Sequence, residues 1–561
     1  MRQIFILLLS LLVLSFEQLS AQGFPQGYFR NPLDIPILLA GNYGECRPNH
    51  FHSGIDIKTN QKENLPVYAA ADGFVSRINI SHAGYGYALY INHPNGFQTV
   101  YAHLNKYNDA LEKYIASQQQ LQEKWNIDIQ LPPDLFPVKQ GELVAFSGNT
   151  GGSTAPHLHL EIRDIATEEV LNPLLFGFDI KDNLAPEIQQ IAIYDASQSI
   201  YDQKPIFISL HKKDNLFQAK TDTIKIPFKT FRIGVLAEDK MNGSNSSLAC
   251  YAMGLSQDGV SKIAWQLSRL NFEITRYVNA FADYKTYMNQ KDWLVGLYKL
   301  PHNELDIYEG GNGVLSFLNA AFTQLHIQAK DALGNTSLAQ INLQLELPQS
   351  SPKPCENNPL ETNWQQATFK FSCPQALIYD PFCWEIKTSD GNALAYTIQI
   401  MDRDVPLHSY ADLSLKLKTI LPFHLRSKLY FIHQIKKQSL PGANAQPGMA
   451  AQYDNGWVSG KIRTFGKFEV GIDTIPPSIK ILSSKKLTAN QKIKFQVTEK
   501  ETSFTSCKAW IDGTWYSFSR AGNTFSFADK RKLQAGNHVL KIQAKDENEN
   551  EALVEWPFVI Q

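Results

Sequence analysis

The segment APHLHLEI, residues 155–162, alternates His157, His159 and Glu161 with Leu158, Leu160 and Ile162. Period-2 alternation marks a strand buried in a sheet, and it puts the two imidazoles and the carboxylate on one face with the aliphatic side chains on the other. Imidazoles two residues apart stand roughly 6.5–7 Å from each other along a strand. They can share one site without binding the same ion: one ligates while the other faces a substrate.

Working outward, the same chemistry recurs at two other places. In HSGID, residues 52–56, a regular strand separates His52 from Asp56 by roughly 13 Å. They reach one ion only across a bend, which Gly54 permits. The Ile55/Ile57 alternation then starts a strand, with His52 at its entrance and Asp56 on it. YAHL, residues 101–104, ends another strand at His103, with Tyr101 expected on the same face. His52, Asp56 and His159 offer three N/O ligands and leave a fourth position for water, the pattern of a catalytic zinc site rather than a closed structural one. No HExxH occurs, so His103 and His157 are the candidates to take the water proton and stabilise a tetrahedral intermediate. Glu161 lies beyond the ligands and is read as a support. His50, His82 and His93 are read as surface or supporting residues, with His50 the nearest of them to a substrate. Seven of the 14 histidines fall between 50 and 159, which concentrates the chemistry there.

Strand-like runs at 88–92, 98–102 and 143–146 are punctuated by turn signals at Asp72-Gly73, Asn95-Gly96 and 148–151. One helix interrupts them. Asp109-x-x-Glu112 reads as a capping box. Leu111, Tyr114, Ile115, Leu121 and Trp125 follow at helical spacing, predicting an amphipathic helix over 109–126 that covers one face of the sheet.

Taken together, HSGID (52–56), YAHL (101–104), GELVAFSGNTGGS (141–153) and APHLHLE (155–161) resemble the lysostaphin/LytM-type zinc endopeptidases of peptidoglycan, over about residues 40–175. The resemblance implies a LytM-type, duplicated-hybrid-motif-like β-sheet core with a narrow groove. It implies Zn2+ on His52, Asp56 and His159, with His103 and His157 as the catalytic pair. It also implies hydrolysis of peptide bonds in peptidoglycan stems or cross-bridges. Ala155 replaces the usual Gly, and Leu160 stands where Phe is common, but no ligand is missing. The larger departure is the insertion at 105–137, beside the expected groove.

The whole chain has 561 residues, enough for three to four domains. Lys+Arg 53 against Asp+Glu 54 leaves a net charge of -1, which argues against nucleic acid as the main partner. Arg2 followed by the apolar run at 4–16 reads as a signal peptide over 1–21, with the mature start near Gln22. No later run is long enough to span a membrane, so the mature chain is expected to be exported to a periplasm or cell envelope without an anchor. A peptidase domain over 22–178 is followed by three β modules: an immunoglobulin-like sandwich with an insertion at 179–348, a β-rich module at 349–470 opened by the linker QSSPKP (349–354), and a second immunoglobulin-like sandwich at 471–561.

The sandwiches look like repeats: Asp182-x-x-x-Pro186 matches Asp473-x-x-x-Pro477 as an opening, and IQAKD recurs at 327–331 and 542–546 as a closing strand. The first copy is longer, placing its insertion around 270–315. Such modules bind or position, suggesting an envelope protein partner. Since only about a quarter of the chain, one domain's worth, looks catalytic, the rival reading is a non-catalytic wall-binding regulator or envelope scaffold. The six cysteines leave connectivity open, with Cys373 and Cys383 able to bridge one hairpin. The acidic run 546–550 is read as a solvated loop rather than a calcium site.

Overall fold

A computed structural model describes residues 23–317, 321–346, 355, 358–434, 448–488, 491–529, 531 and 533–561. The expected leader and the 349–354 linker lie outside the described residues. The fold is mainly β, a LytM-type core with an inserted helix followed by β modules.

In the N-terminal domain an antiparallel sheet orders the strands Leu39–Gly41, Ile55–Lys58, His157–Asp164, Phe97–Leu104, Tyr87–Asn92, Gly73–Ile80 and Ile127–Gln130. A three-stranded sheet of Pro66–Tyr68, Leu143–Phe146 and Lys106–Tyr107 shares its core, where Val67, Val144 and Tyr107 join Ile55, Ile57, Leu158, Leu160 and Ile162. The alternation read from residues 157–162 is therefore realised: the aliphatic side chains face this core and the imidazoles the other side.

His103 departs from expectation. Tyr87 pairs with Leu104 and Leu89 with Tyr101, so a β-bulge sets Ala88 against both Ala102 and His103. His103 takes a left-handed φ of 57°, uncommon outside glycine. A regular strand would put His103 on Tyr101's face; the bulge turns it over. Tyr101 stays in the core opposite Leu160, while His103 joins the imidazoles across the sheet.

The inserted helix spans Asp109–Gln122 and buries Leu111 and Ile115. Its N-cap is Asn108, whose side chain accepts from Leu111 N at 3.1 Å, while Glu112 reaches back to Tyr107 N at 2.8 Å. The capping pair thus starts one residue before the expected Asp109. The helix also ends earlier, at left-handed Glu123. Leu121 is exposed, and Trp125 instead stacks flat on His82 at 4.1 Å.

Beyond residue 178 the strands build layered sheets. In the first assembly two sheets meet at the strand Ile206–Lys213. Short helices Phe272–Tyr277, Val278–Phe281 and Tyr284–Gln290 occupy the segment read as an insertion. IQAKD falls at the end of the last strand but one in both copies; Thr336–Leu345 and Glu551–Ile560 follow as hairpin partners. Two five-stranded sheets come next, then a four- and a five-stranded sheet. One apolar core runs unbroken from Ile188 to Val470, and the last assembly has its own. The disulfide joins Cys355 to Cys383, while Cys373 is free and fully buried. The Cys373–Cys383 hairpin bridge is therefore not formed.

Several junctions tie the first domain to the rest. Val170–Leu171 pairs with His157–Asp164 on one side and with Arg269–Leu270 of the next assembly on the other. The C-terminal module lies against the inserted helix across a cleft of about 300 Å³, lined by Ile115, Gln119 and Trp125 from one side and Trp515, Asp529 and Arg531 from the other. Lys508 Nζ reaches within 3.6 Å of Glu123 there. Among the described residues no helix is long and apolar enough to cross a membrane.

Candidate metal centre

His52, Asp56 and His159 converge although the last is over a hundred residues from the others. The pairing of His159 with Asp56 across adjacent strands brings the second motif to the first. His52 Nε2 lies 3.0 Å from His159 Nδ1 and 3.1 Å from Asp56 Oδ1, and His159 Nδ1 lies 2.9 Å from the same oxygen. All three residues are buried.

Gly54 has a reason other than the bend. A Cβ there would stand 2.3 Å from Leu160 O and 3.0 Å from His159 Nε2, so only glycine lets the segment lie this close to the strand.

The outer nitrogens fix which way the inner ones face. His52 Nδ1 donates to Asn42 O at 2.7 Å, and His159 Nε2 donates to Glu161 Oε1 at 2.9 Å. Each ring therefore turns a lone pair inward. Two nitrogen lone pairs and a carboxylate oxygen meet at hydrogen-bond distance, which calls for a cation between them. Two N and one O donor suit catalytic zinc, which keeps a further position for water. The described residues thus fit the metal.

Charges around the site keep it poised. Burial pushes His52 down to about 4, against the pull of Asp56. Burial also opposes a charge on His159, but its hydrogen bonds to Asp56 and Glu161 prevail and raise it to about 9, so in the metal-free chain a proton sits on the inward nitrogen and a bound cation would displace it. Burial would raise Asp56; the neighbouring imidazoles overcome it and hold the carboxyl well below its usual range. Arg47 donates to Asp56 Oδ2 at 2.6 Å, leaving Oδ1 for the imidazoles. Glu161 is wholly buried yet stays ionised, because Arg163 and His159 outweigh its desolvation. It also accepts from Tyr85 at 2.6 Å and from Ser53 at 2.5 Å.

The other two imidazoles lie beside this group. The ring of His103 is 4.7 Å from that of His157 and 5.7 Å from that of His159. Its Nδ1 donates to Thr150 O at 2.8 Å, a carbonyl from the glycine-rich run. Burial first, then the neighbouring imidazoles, bring His103 down to about 3, keeping it neutral. His157 Nδ1 is held by Ala155 O at 2.8 Å, and its buried Nε2 has no hydrogen bond, with Asp56 Oδ1 at 3.3 Å.

The remaining histidines stay outside. His93 is buried between Asp72 O and Thr99, His82 stacks on Trp125, and exposed His50 bonds Pro48 O. Sequence reasoning missed Asn42, Arg47, Ser53, Tyr85 and Arg163. Only Arg163 left a signal, two residues beyond Glu161 on the same strand face.

Residues 50–123 match the model for peptidase family M23, and residues 359–473 that for a Zu5-like domain. An uncharacterized metalloprotease of Haemophilus influenzae is 37% identical over 158 residues, which is 27% of this chain and 27% of that protein. The DD-carboxypeptidase/endopeptidase Mpg of Neisseria meningitidis is 36% identical over 112 residues, 20% of each chain. The catalytic domain of lysostaphin from Staphylococcus simulans superposes at a TM-score of 0.17 with 24% identity, over 27% of this chain and 91% of that one. The chain spans about a quarter or less of the length of the curated relatives it matches. Its N-terminal domain is similar to M23 peptidases, as the four motifs imply.

Proposed function

We propose that this protein is an exported zinc metallo-endopeptidase that cuts peptide bonds in peptidoglycan stems or cross-bridges. The observation that carries the reading is the convergence of two imidazole nitrogens and a carboxylate oxygen next to a second pair of imidazoles. Zinc bound there would polarise the scissile carbonyl and lower the pKa of water to about 7.

The chain's own residues do the rest. His52, Asp56 and His159 hold the ion. Asn42 and Glu161 orient the two imidazole ligands, and Arg47 occupies the second oxygen of Asp56. His103 and His157 are the groups that move a proton and steady the intermediate: neutral His103 can accept a proton from water and pass that same proton to the leaving amine, and His157 stands beside it, where its Nε2, once protonated, would hydrogen-bond the developing oxyanion. The similarity to an endopeptidase named Mpg supports the substrate class. The β modules would hold the catalytic domain against an envelope partner.

Purified protein should carry about one zinc, as a mononuclear site does, and should release peptides from cell-wall sacculi. His159→Ala should lose both properties. Undiminished peptide release by that variant would overturn the reading, and mass spectrometry of the fragments identifies the bond cut.

A further inference from the structure

A second cluster of metal-type donors lies where the first β assembly meets the peptidase domain. One carboxylate oxygen from each of Asp182, Asp239 and Asp331 lies within 4.8 Å of the others. Three separate elements deliver them: Asp182 opens the assembly, Asp239 follows the strand Thr230–Glu238, and Asp331 follows Phe322–Lys330.

Asp331 is aimed by its own turn, with Leu333 N and Asn335 N donating to Oδ1 at 2.9 and 2.8 Å and Asn335 Nδ2 to Oδ2 at 2.7 Å. Asp182 Oδ1 accepts from Leu184 N and Asn242 N at 3.1 and 3.3 Å. Asp239 differs. It is only 3% exposed, and its Oδ1 is buried with no hydrogen-bond partner. Among the described residues no lysine or arginine pairs with any of the three. Burial first, then the charges of Asp331 and Asp182, drive Asp239 up to about 8. An unpartnered buried carboxylate oxygen beside two more carboxylates is costly unless a cation joins them.

We propose that Asp182, Asp239 and Asp331 bind a calcium ion. The donors are all oxygen, with no imidazole or thiolate in the group, which favours a hard cation over zinc. Water completes the six to eight ligands calcium takes.

The position gives the ion a task. Asp239 and Leu248 exchange backbone hydrogen bonds at 2.8 and 2.9 Å, closing the loop between them. That loop grips the peptidase domain: Met241 Sδ accepts from Leu39 N at 3.1 Å, Ser244 Oγ donates to Leu39 O at 2.9 Å, and Asn42 and Ala249 bond each other at 2.8 Å in both directions. Asn42 O is the group that orients His52. Calcium therefore braces the loop that supports one wall of the zinc site, a consequence that rests on the proposed zinc reading; the calcium site itself does not.

The test is calorimetric titration of the zinc-loaded full-length protein with calcium chloride, paired with thermal unfolding. One equivalent should bind in roughly the 0.1–1 mM range of extracellular calcium modules, and Tm should rise. Asp239→Asn should lose both effects, and His159→Ala should keep both. The proposal fails if the wild type shows neither heat nor a Tm shift at about ten times that range, if Asp239→Asn binds undiminished, or if His159→Ala is the variant that loses the calcium equivalent.

Discussion

At the scale of single residues, the site separates the proposed ligands from the groups that aim them. Glu161→Gln keeps the shape of the side chain but removes the charge that holds His159 Nε2–H. Zinc affinity should fall about 10–100-fold, as competition with a chelator would measure. His103→Ala and His157→Ala should retain their zinc and lose about 10²–10⁴-fold in kcat; loss of zinc from either would move it among the ligands. The proposed ligands were legible as candidates because their spacing is local: period 2 in residues 157–161, and a four-residue span in 52–56. The orientation of His103 was not. Which face it takes depends on a bulge that pairs one residue of the neighbouring strand with two of its own, and register between strands is not written in either strand alone. Asn42 acts through its carbonyl, which every residue has, so its letter carried no signal.

The elements show how narrowly this arrangement is held. Gly54→Ala drives a methyl into the Leu160 carbonyl; relieving it should cost about 1–3 kcal/mol, read as a lower Tm and less bound zinc. Asn108→Ala removes the side-chain cap of the inserted helix and should cost about 1 kcal/mol in unfolding experiments. The helix was legible from its apolar spacing, but its end was not. Leu121 and Trp125 continue the pattern, yet Glu123 adopts the left-handed conformation that stops the helix, and Trp125 finds a stacking partner in His82 outside it. A tertiary contact decided the boundary.

On the scale of the whole molecule, stability should depend on pH through the aspartate cluster. Asp239 titrates near 8 when folded, against 3.8 ordinarily. Between those values the folded chain binds a proton that the unfolded chain releases, so this group makes calcium-free protein lose stability as pH rises from about 4 to 8. Saturating calcium should flatten that slope, and Asp239→Asn should remove its share of it; Tm measured across pH with and without calcium checks both. The partners in this cluster are some 57 and 149 positions from Asp182 along the chain, as their numbers show; Asp182 and Asp331 belong to the repeated ends but Asp239 to neither, which is why the sequence pattern alone did not reveal it.

The strand Val170–Leu171 hydrogen-bonds to a catalytic-domain strand and to Arg269–Leu270 at once. The N-terminal domain and the β assembly beside it are therefore joined through backbone bonds, so that a pull on one is carried into the other. Severing the chain after residue 178 would strip that partner away, leaving an open strand edge beside the apolar side chains of Tyr43, Phe51 and Val170, which pack into the neighbouring assembly's core. An isolated N-terminal fragment should self-associate through this raw edge, whereas a fragment extended through residue 473, which keeps the shared apolar core whole, should stay monodisperse in size-exclusion chromatography.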